Sequence, residues 1–423
     1  MDNDFLSVFN EQLDEMPPPY TEIDETQQLL FEDILPVLYP TDMTIAAAGE
    51  MTTAQQLLRP RGHSLGLQLE GIYQTTVHVY PDNEDRYRGL ISVQAKFYHY
   101  REPSDNHEND QMPPAILCET TADEKTNRMQ HIFRPSNALE KICCIFKVVL
   151  PLTAIIATAT AAAAADVVLP ELLLRLPRNS QLIVQNIKQG TVGLLDTAII
   201  QGTVEMQGVH VDKLRLVVGN GSINSVDVSV QTAAKFVVIS GDIHLRQCNA
   251  RKNIIIRAQK ARISMQAVSS QKMDIHGGTR PINADSTQAE IIHIHSDSGH
   301  VFIDCSAKEL VIKSNSGPVR GTWNVEQLLD INAVSAIVRG SIEFSGDSAR
   351  ARVRARGWPV SLAVSKEYLG HYNIRAINSV VNFGLPLGTR YENHSHWCQG
   401  VIGIAANVLD VENVSAPIVI SAT

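Results

Sequence analysis

Residues 292–319 read IHIHSDSGHVFIDCSAKELVIKSNSGPV, and the stretch contains one phrase twice. An apolar-polar alternation (Ile292, Ile294; then Leu310, Ile312) runs into a small-residue turn, Ser296-Asp-Ser-Gly or Ser314-Asn-Ser-Gly, and a β-branched residue follows at Val301 or Val319. Alternation with period two buries one face of a strand, and the small residues let the chain turn tightly. Working outward, the phrase recurs as LRLVVGNGSI (214–223), KFVVISGDI (235–243), IIIRAQKARI (254–263) and LLDINAVSAI (328–337), with a related copy, VLDVENVSAPI, at 408–418. The apolar residues that follow the turns are Val204, Ile223, Ile243, Ile263, Ile282, Val301, Val319, Ile337, Val360 and Val381, spaced 19, 20, 20, 19, 19, 18, 18, 23 and 21.

A period near 20 built from strands is the mark of a solenoid, in which each turn buries its apolar face only by stacking on its neighbours. Counting back seven and nine residues from successive anchors gives Leu216 and Leu214, Phe236 and Ala234, Ile256 and Ile254, Ile275 and Met273, Ile294 and Ile292, Ile312 and Leu310. Eleven of these twelve are large and apolar, as the inward positions of stacked strands should be. At Ile337 the phase slips by one, because Leu329 and Ile331 take the inward places, and a longer turn or bulge is expected there. The fold class is therefore mostly β, a parallel β-solenoid of about ten rungs, on the order of 45–50 Å long, preceded by a disordered acidic tail.

The Ser-x-Ser-Gly-x-Val phrases at Ser296–Val301 and Ser314–Val319, with the related turns at Gly221 and Gly241, resemble the adhesin-type β-solenoid family of bacteria and fungi. The resemblance covers roughly residues 180–420, with the strands from Leu65 as a candidate N-terminal part. It implies a shape and a binding role, and it brings no catalytic motif or agreed ligand. The head departs from a secreted adhesin, since MDNDFLSVFNEQLDE lacks a signal-peptide pattern.

Three regions follow: an acidic tail over 1–64, a β-rich portion over 65–179 and the solenoid over 180–423. Of the net charge of -9, the tail supplies the sign: residues 1–58 hold twelve Asp or Glu and no Lys or Arg, which leaves 33 acidic against 36 basic residues elsewhere. Such a stretch repels itself and stays extended. Within it, Pro17-Pro18-Pro19-Tyr20 fits the P-P-x-Y pattern that WW domains read, because prolines pre-form the polyproline II helix that an aromatic groove accepts. A WW-domain protein, through it a ubiquitin ligase, is the partner this motif implies; a plain proline-rich linker is the alternative.

The uncharged run Val148–Ala165, VVLPLTAIIATATAAAAA, leaves two readings open. Its eighteen residues stand at the lower edge of a membrane span, Arg128, Arg134, Lys141 and Lys147 precede it, and Cys143 and Cys144 would be juxtamembrane acylation sites. The sequons at Asn220, Asn393 and Asn413 all lie beyond it, as an external C-terminal half would require. Against a span, eight of the eighteen are Ala, which inserts poorly, and ICCIFKVVLP also fits a buried strand of an intracellular protein.

The register also marks outward residues. Asp274 and His276 on one rung, with His293 and His295 on the next, would stack on one face, and imidazoles beside a carboxylate suit Zn²⁺ or a similar ion. In ARARVRARG (349–357), Arg350, Arg352, Arg354 and Arg356 share a face about 6.6 Å apart, an anion site for a polyanion, a phosphorylated segment or the chain's own acidic tail. For both, a solvated face is the plainer explanation. Nucleic acid is not expected, because the chain is acidic overall and no aromatic platform accompanies the arginines. The six cysteines form no C-x-x-C, no nucleophile elbow or nucleotide loop is present, and neither an enzyme nor a cofactor is expected. A polysaccharide-cleaving β-helix would need paired carboxylates in a groove, which Asp297 and Asp304 do not make. The residues point to a non-catalytic scaffold or binding protein, with a single-pass membrane protein carrying an external adhesin-like solenoid as the alternative.

Overall fold

In the computed structural model of the chain, the repeated phrases become parallel strands stacked one over another. The structure describes the strands Thr52–Leu58, Ser64–Leu69, Gln74–Asp82, Ile91–His99, Ile116–Asp123, Arg128–Pro135 and Ile142–Pro151, then residues 171–385, 390–394, 396–403 and 406–422. The tail with Pro17, Pro18, Pro19 and Tyr20, and the run Leu152–Ala165, lie outside the described residues.

The column of post-turn residues is observed as a ladder: Ile263 pairs with Ile282, Ile282 with Val301, Val301 with Val319, Val319 with Val338 and Val338 with Val360, all in parallel. The inward pairs counted back from these anchors are buried, Leu214, Leu216, Ala234 and Phe236 through Leu310 and Ile312, in one continuous apolar cluster. Alternation produces this because successive side chains of a strand point to opposite faces. Among the described residues the elements are strands throughout, and the fold is a parallel β-solenoid.

The turn phrase has a physical cause. Ser296 and Ser314 point inward, and each Oγ donates to the carbonyl of the glycine three residues on, Gly299 at 2.7 Å and Gly317 at 2.5 Å. A buried hydroxyl needs such a partner, and here it closes the turn. Proline recurs just before the next strand because the ladder uses only the carbonyl there. The oxygens of Pro281, Pro318, Pro359 and Pro417 accept from Ile263, Val301, Val338 and Val360, so the missing N–H costs nothing.

Two expectations need correction. The column residue after the 334–337 turn is Val338, fully buried and paired with Val319, whereas Ile337 is only partly buried. With Val338 as anchor, Leu329 and Ile331 fall in phase, and the turn is no longer than its neighbour. The extra residue sits inside the strand Val319–Ala333, where the register against the previous rung shifts between Ala307 and Glu309.

The larger departure is in chain order. Val360 pairs with Ile418, and Ile418 pairs with Val381, so the strands Asn407–Asn413 and Ile418–Ala422 are inserted between the rungs of Val360 and Val381. An antiparallel hairpin, Arg390–His394 with Trp397–Ile402, covers the strand Gly370–Ala376 beyond it. The other end repeats the device: Ser64–Leu69 lies between Arg128–Pro135 and Glu171–Leu176, Gln74–Asp82 lies between Ile142–Pro151 and Ser180–Gln185, and antiparallel Ile116–Asp123 and Ile91–His99 cover the outer side. Both ends thus carry a rung from elsewhere in the chain plus antiparallel cover, which shields part of the open parallel edge that a bare solenoid would expose.

This placement bears on the membrane reading. Val148–Pro151 belong to the strand Ile142–Pro151, paired with Gln74–Asp82 on one side and Ile91–His99 on the other. The uncharged run left over is Leu152–Ala165, shorter than the about 20 residues a span needs. Among the described residues, no helix is long and apolar enough to cross a membrane. Cys144 is buried, with its Sγ 3.3 Å from Thr75 Oγ1, and so is closed to acylation. The sequon at Asn413 is closed as well, its side chain fully buried and its Nδ2 donating to the Trp358 carbonyl at 2.8 Å.

Candidate functional site

Outward residues line up in columns because the ladder repeats them at each rung. His276 stacks on His295 and Asp274 on His293, the arrangement the register implies. Arg257 stands next to His276 on the preceding rung and Lys313 next to His295 on the following one. The imidazoles of His276 and His295 meet edge to face, with centroids 4.6 Å apart and planes at 79°.

The four residues do not converge. Arg257 holds Asp274 instead: its Nη2 donates to Asp274 Oδ2 at 2.6 Å and its Nη1 to the Asp274 carbonyl at 3.1 Å. The carboxylate that joins the imidazoles is Asp297, in the turn after His295, with Oδ1 3.3 Å from His295 Nε2. Among the described residues, the donor atoms of His276, His295 and Asp297 all lie within 4.8 Å of one another. Partial burial pushes the His276 pKa below its ordinary 6.5, and the neighbouring His295 and Arg257 push the same way, against Asp297 and Asp274.

The arginine row is also where alternation puts it: Ala351, Val353 and Ala355 are buried while Arg350, Arg352, Arg354 and Arg356 face outward. Its surroundings are less basic than the nine-residue phrase suggests. Asp330 and Asn332 pair with Arg352 and Arg354 on one side, and the inserted strand brings Asp410 and Glu412 to the same two arginines on the other. Arg350 Nη2 reaches Asp410 Oδ2 at 3.0 Å, and Arg375 pairs beyond with Glu412. Rungs are spaced about 4.8 Å, so the row of four arginines expected as an anion site lies in a mixed-charge lattice with arginine in excess.

Sequence reasoning missed Asp297, Asp410 and Glu412. The last two were within reach, since counting eight and six residues back from Ile418 gives them directly. What no periodicity signals is that this copy lies against the arginines. A third cluster was also missed: Asp196, almost fully buried, accepts from Arg175 at 3.0 Å and lies 3.5 Å from Arg215 Nη1. Near it Lys235 has its pKa lowered, chiefly by desolvation and then by Arg215 and Arg257.

Two hollows mark the described surface. One, about 340 Å³, lies over the strand starts between Arg262, His300, Phe302 and Arg320, with Phe302 exposed. The other, about 520 Å³, runs past Arg251, Glu290, Lys308 and Glu326, where Lys308 and Glu290 are 3.7 Å apart. Both are open to solvent along the rungs; the first is lined by Arg262, Arg320 and His300 with no carboxylate among its lining, and the second carries both signs.

No protein-family model and no curated protein matches the chain. Among solved structures, a "putative cell adhesion protein" from Clostridium sporogenes is 8% identical, covering 88% of this chain and 100% of its own, with a TM-score of 0.14. A "putative adhesin" from Bacteroides fragilis is 7% identical, covering 88% of this chain and 98% of its own, with a TM-score of 0.22. Both are named for adhesion, as is the family that the Ser-x-Ser-Gly-x-Val phrase resembles. At these scores neither superposition carries an argument, and the solenoid rests on the ladder registers.

Proposed function

We propose that the chain is a non-catalytic binding scaffold, whose solenoid presents columns of outward side chains to a protein partner and whose acidic head recruits a WW-domain protein. The observation that carries the first half is the registered, mixed-charge lattice around Arg350, Arg352 and Arg354, with Asp330, Asp410 and Glu412 interleaved. Alternating charges fixed at rung spacing select a partner with the complementary pattern, and they favour specificity and steering over raw affinity. The two hollows support the same reading, since they are open strips along the rungs and offer contact area without enclosure.

The second half rests on Pro17-Pro18-Pro19-Tyr20 in a segment without a single Lys or Arg. Polyproline II binding loses little entropy, and the tyrosine ring supplies the pocket contact. Calorimetry of the full-length chain with purified WW domains tests it. Binding by the natural chain that Tyr20→Ala abolishes is the expected result. Equal binding by both, or binding by neither, would remove the WW-domain partner from the proposal. The solenoid reading is tested apart from this, by titrating the full chain with a short polyanion and comparing it with an Arg352→Glu, Arg354→Glu variant.

A further inference from the structure

We propose that His276, His295 and Asp297 form a binding site for one late first-row divalent metal ion, with Zn²⁺ as the probe, on the outer face of the solenoid. The donor set is two imidazoles and a carboxylate, which suits zinc and its neighbours and discriminates against Mg²⁺ and Ca²⁺, cations that take oxygen donors. Ligand distances of 2.0–2.2 Å in tetrahedral coordination place neighbouring donor atoms about 3.3–3.6 Å apart. His295 Nε2 and Asp297 Oδ1 already have such a separation, 3.3 Å. The third donor, on His276, lies within 4.8 Å of both, a gap that ring rotation on an outward-facing side chain can close. Three protein ligands leave a fourth position for solvent or for a partner's side chain.

The backbone beneath the donors is held from both sides. The Asp297 N–H donates to the Gly277 carbonyl at 3.2 Å, and its own carbonyl accepts from the Ser316 N–H at 3.0 Å and from Ser316 Oγ at 3.2 Å. His276 and His295 are direct partners in a parallel ladder, so their Cα positions are fixed relative to each other. The flanking cations are partly answered. Arg257 is ion-paired with Asp274 at 2.6 Å, which leaves Asp297 for the metal and partly offsets the guanidinium beside His276, and Lys313 is the ladder partner of His295 on the far side. His293 shares the rung but stands in the neighbouring column, paired with Asp274, and serves as an internal control.

The test is Zn²⁺ titration of the chelator-stripped, full-length chain by calorimetry, with the melting temperature read with and without Zn²⁺. His276→Ala, His295→Ala, Asp297→Asn and His293→Ala are run in parallel. The natural chain should bind one equivalent that each of the first three variants weakens by at least about tenfold, while His293→Ala is unchanged. The Zn²⁺-dependent rise in melting temperature should disappear in the same three. All three side chains face outward, and the melts in chelator show directly whether each variant is folded. Absence of Zn²⁺ binding, unaltered binding in His276→Ala or His295→Ala, or equal weakening by His293→Ala would each overturn the site.

Discussion

Replacing Gly221 with alanine should pull neighbouring rungs apart. Gly221 has φ of 145°, in the region that side-chain-bearing residues avoid, and it sits directly over Gly202. An added Cβ would lie 2.8 Å from the Gly202 carbonyl carbon and nearer still to its oxygen, where ordinary contact begins at 3.4 Å. The shortfall is 0.6 Å at the carbon (3.4 less 2.8), and both partners are backbone, so no side chain can swing away. Relief requires lifting one strand off another in a stack spaced about 4.8 Å. Two ladder hydrogen bonds opened in a buried setting cost about 1–3 kcal/mol each, and the strained φ adds about 1 kcal/mol, for a total of about 3–7 kcal/mol. Urea unfolding of the full-length chain, followed by circular dichroism, measures this. Because solenoid stability is a sum of rung and interface terms, the loss should appear as an earlier first transition. Gly357→Ala is the control, since an added Cβ there meets nothing within 4 Å. A Gly221→Ala variant within about 1 kcal/mol of the natural chain, or one no worse than Gly357→Ala, would refute the reasoning.

Burial pushes the thiols of Cys248 and Cys305 up to about 12 from an ordinary 9.0, so both should resist alkylation at pH 8 in the folded chain and react once it is unfolded. The sign for stability follows: a thiol whose folded pKa is raised contributes fully below about pH 9, and that contribution drains away as pH rises from 9 towards 12, which alkaline melts should record. Asp410→Asn with Glu412→Gln should change stability by less than about 1 kcal/mol, because the Arg350–Asp410 pair is open to solvent on its arginine side and only partly buried on its aspartate side. The same double variant should elute from a heparin column at higher salt than the natural chain, and unchanged elution would mean that these carboxylates do not screen the arginine row. Hydrogen exchange should show the amides of 407–413 as slow as those of the central rungs, since this strand is paired on both sides; fast exchange there would contradict the insertion.

What the sequence made legible follows from what stacking repeats. Inward positions such as Ile294, Ile312 and Ile331 recur because every rung meets the same environment, so period and alternation alone locate them. The pairing of His276 with His295 was equally available, because ladder partners in consecutive rungs are also about one period apart in the chain. Asp297 was not, because its role depends on which way a turn residue leans, and no periodicity encodes that. The arginine row shows the other limit. Asp410 comes to Arg352 from 58 positions further along the chain (410 less 352), and a count that steps rung by rung assigns it to a rung after Val381 instead of before it. Chain order and stack order coincide only while consecutive rungs are neighbours. At both ends of this solenoid they separate, since an end rung whose next neighbour is solvent gains by taking in a strand from elsewhere. It is at such an insertion, where the local repeat no longer dictates the neighbour, that charges distant in sequence meet and an outer face acquires a pattern of its own.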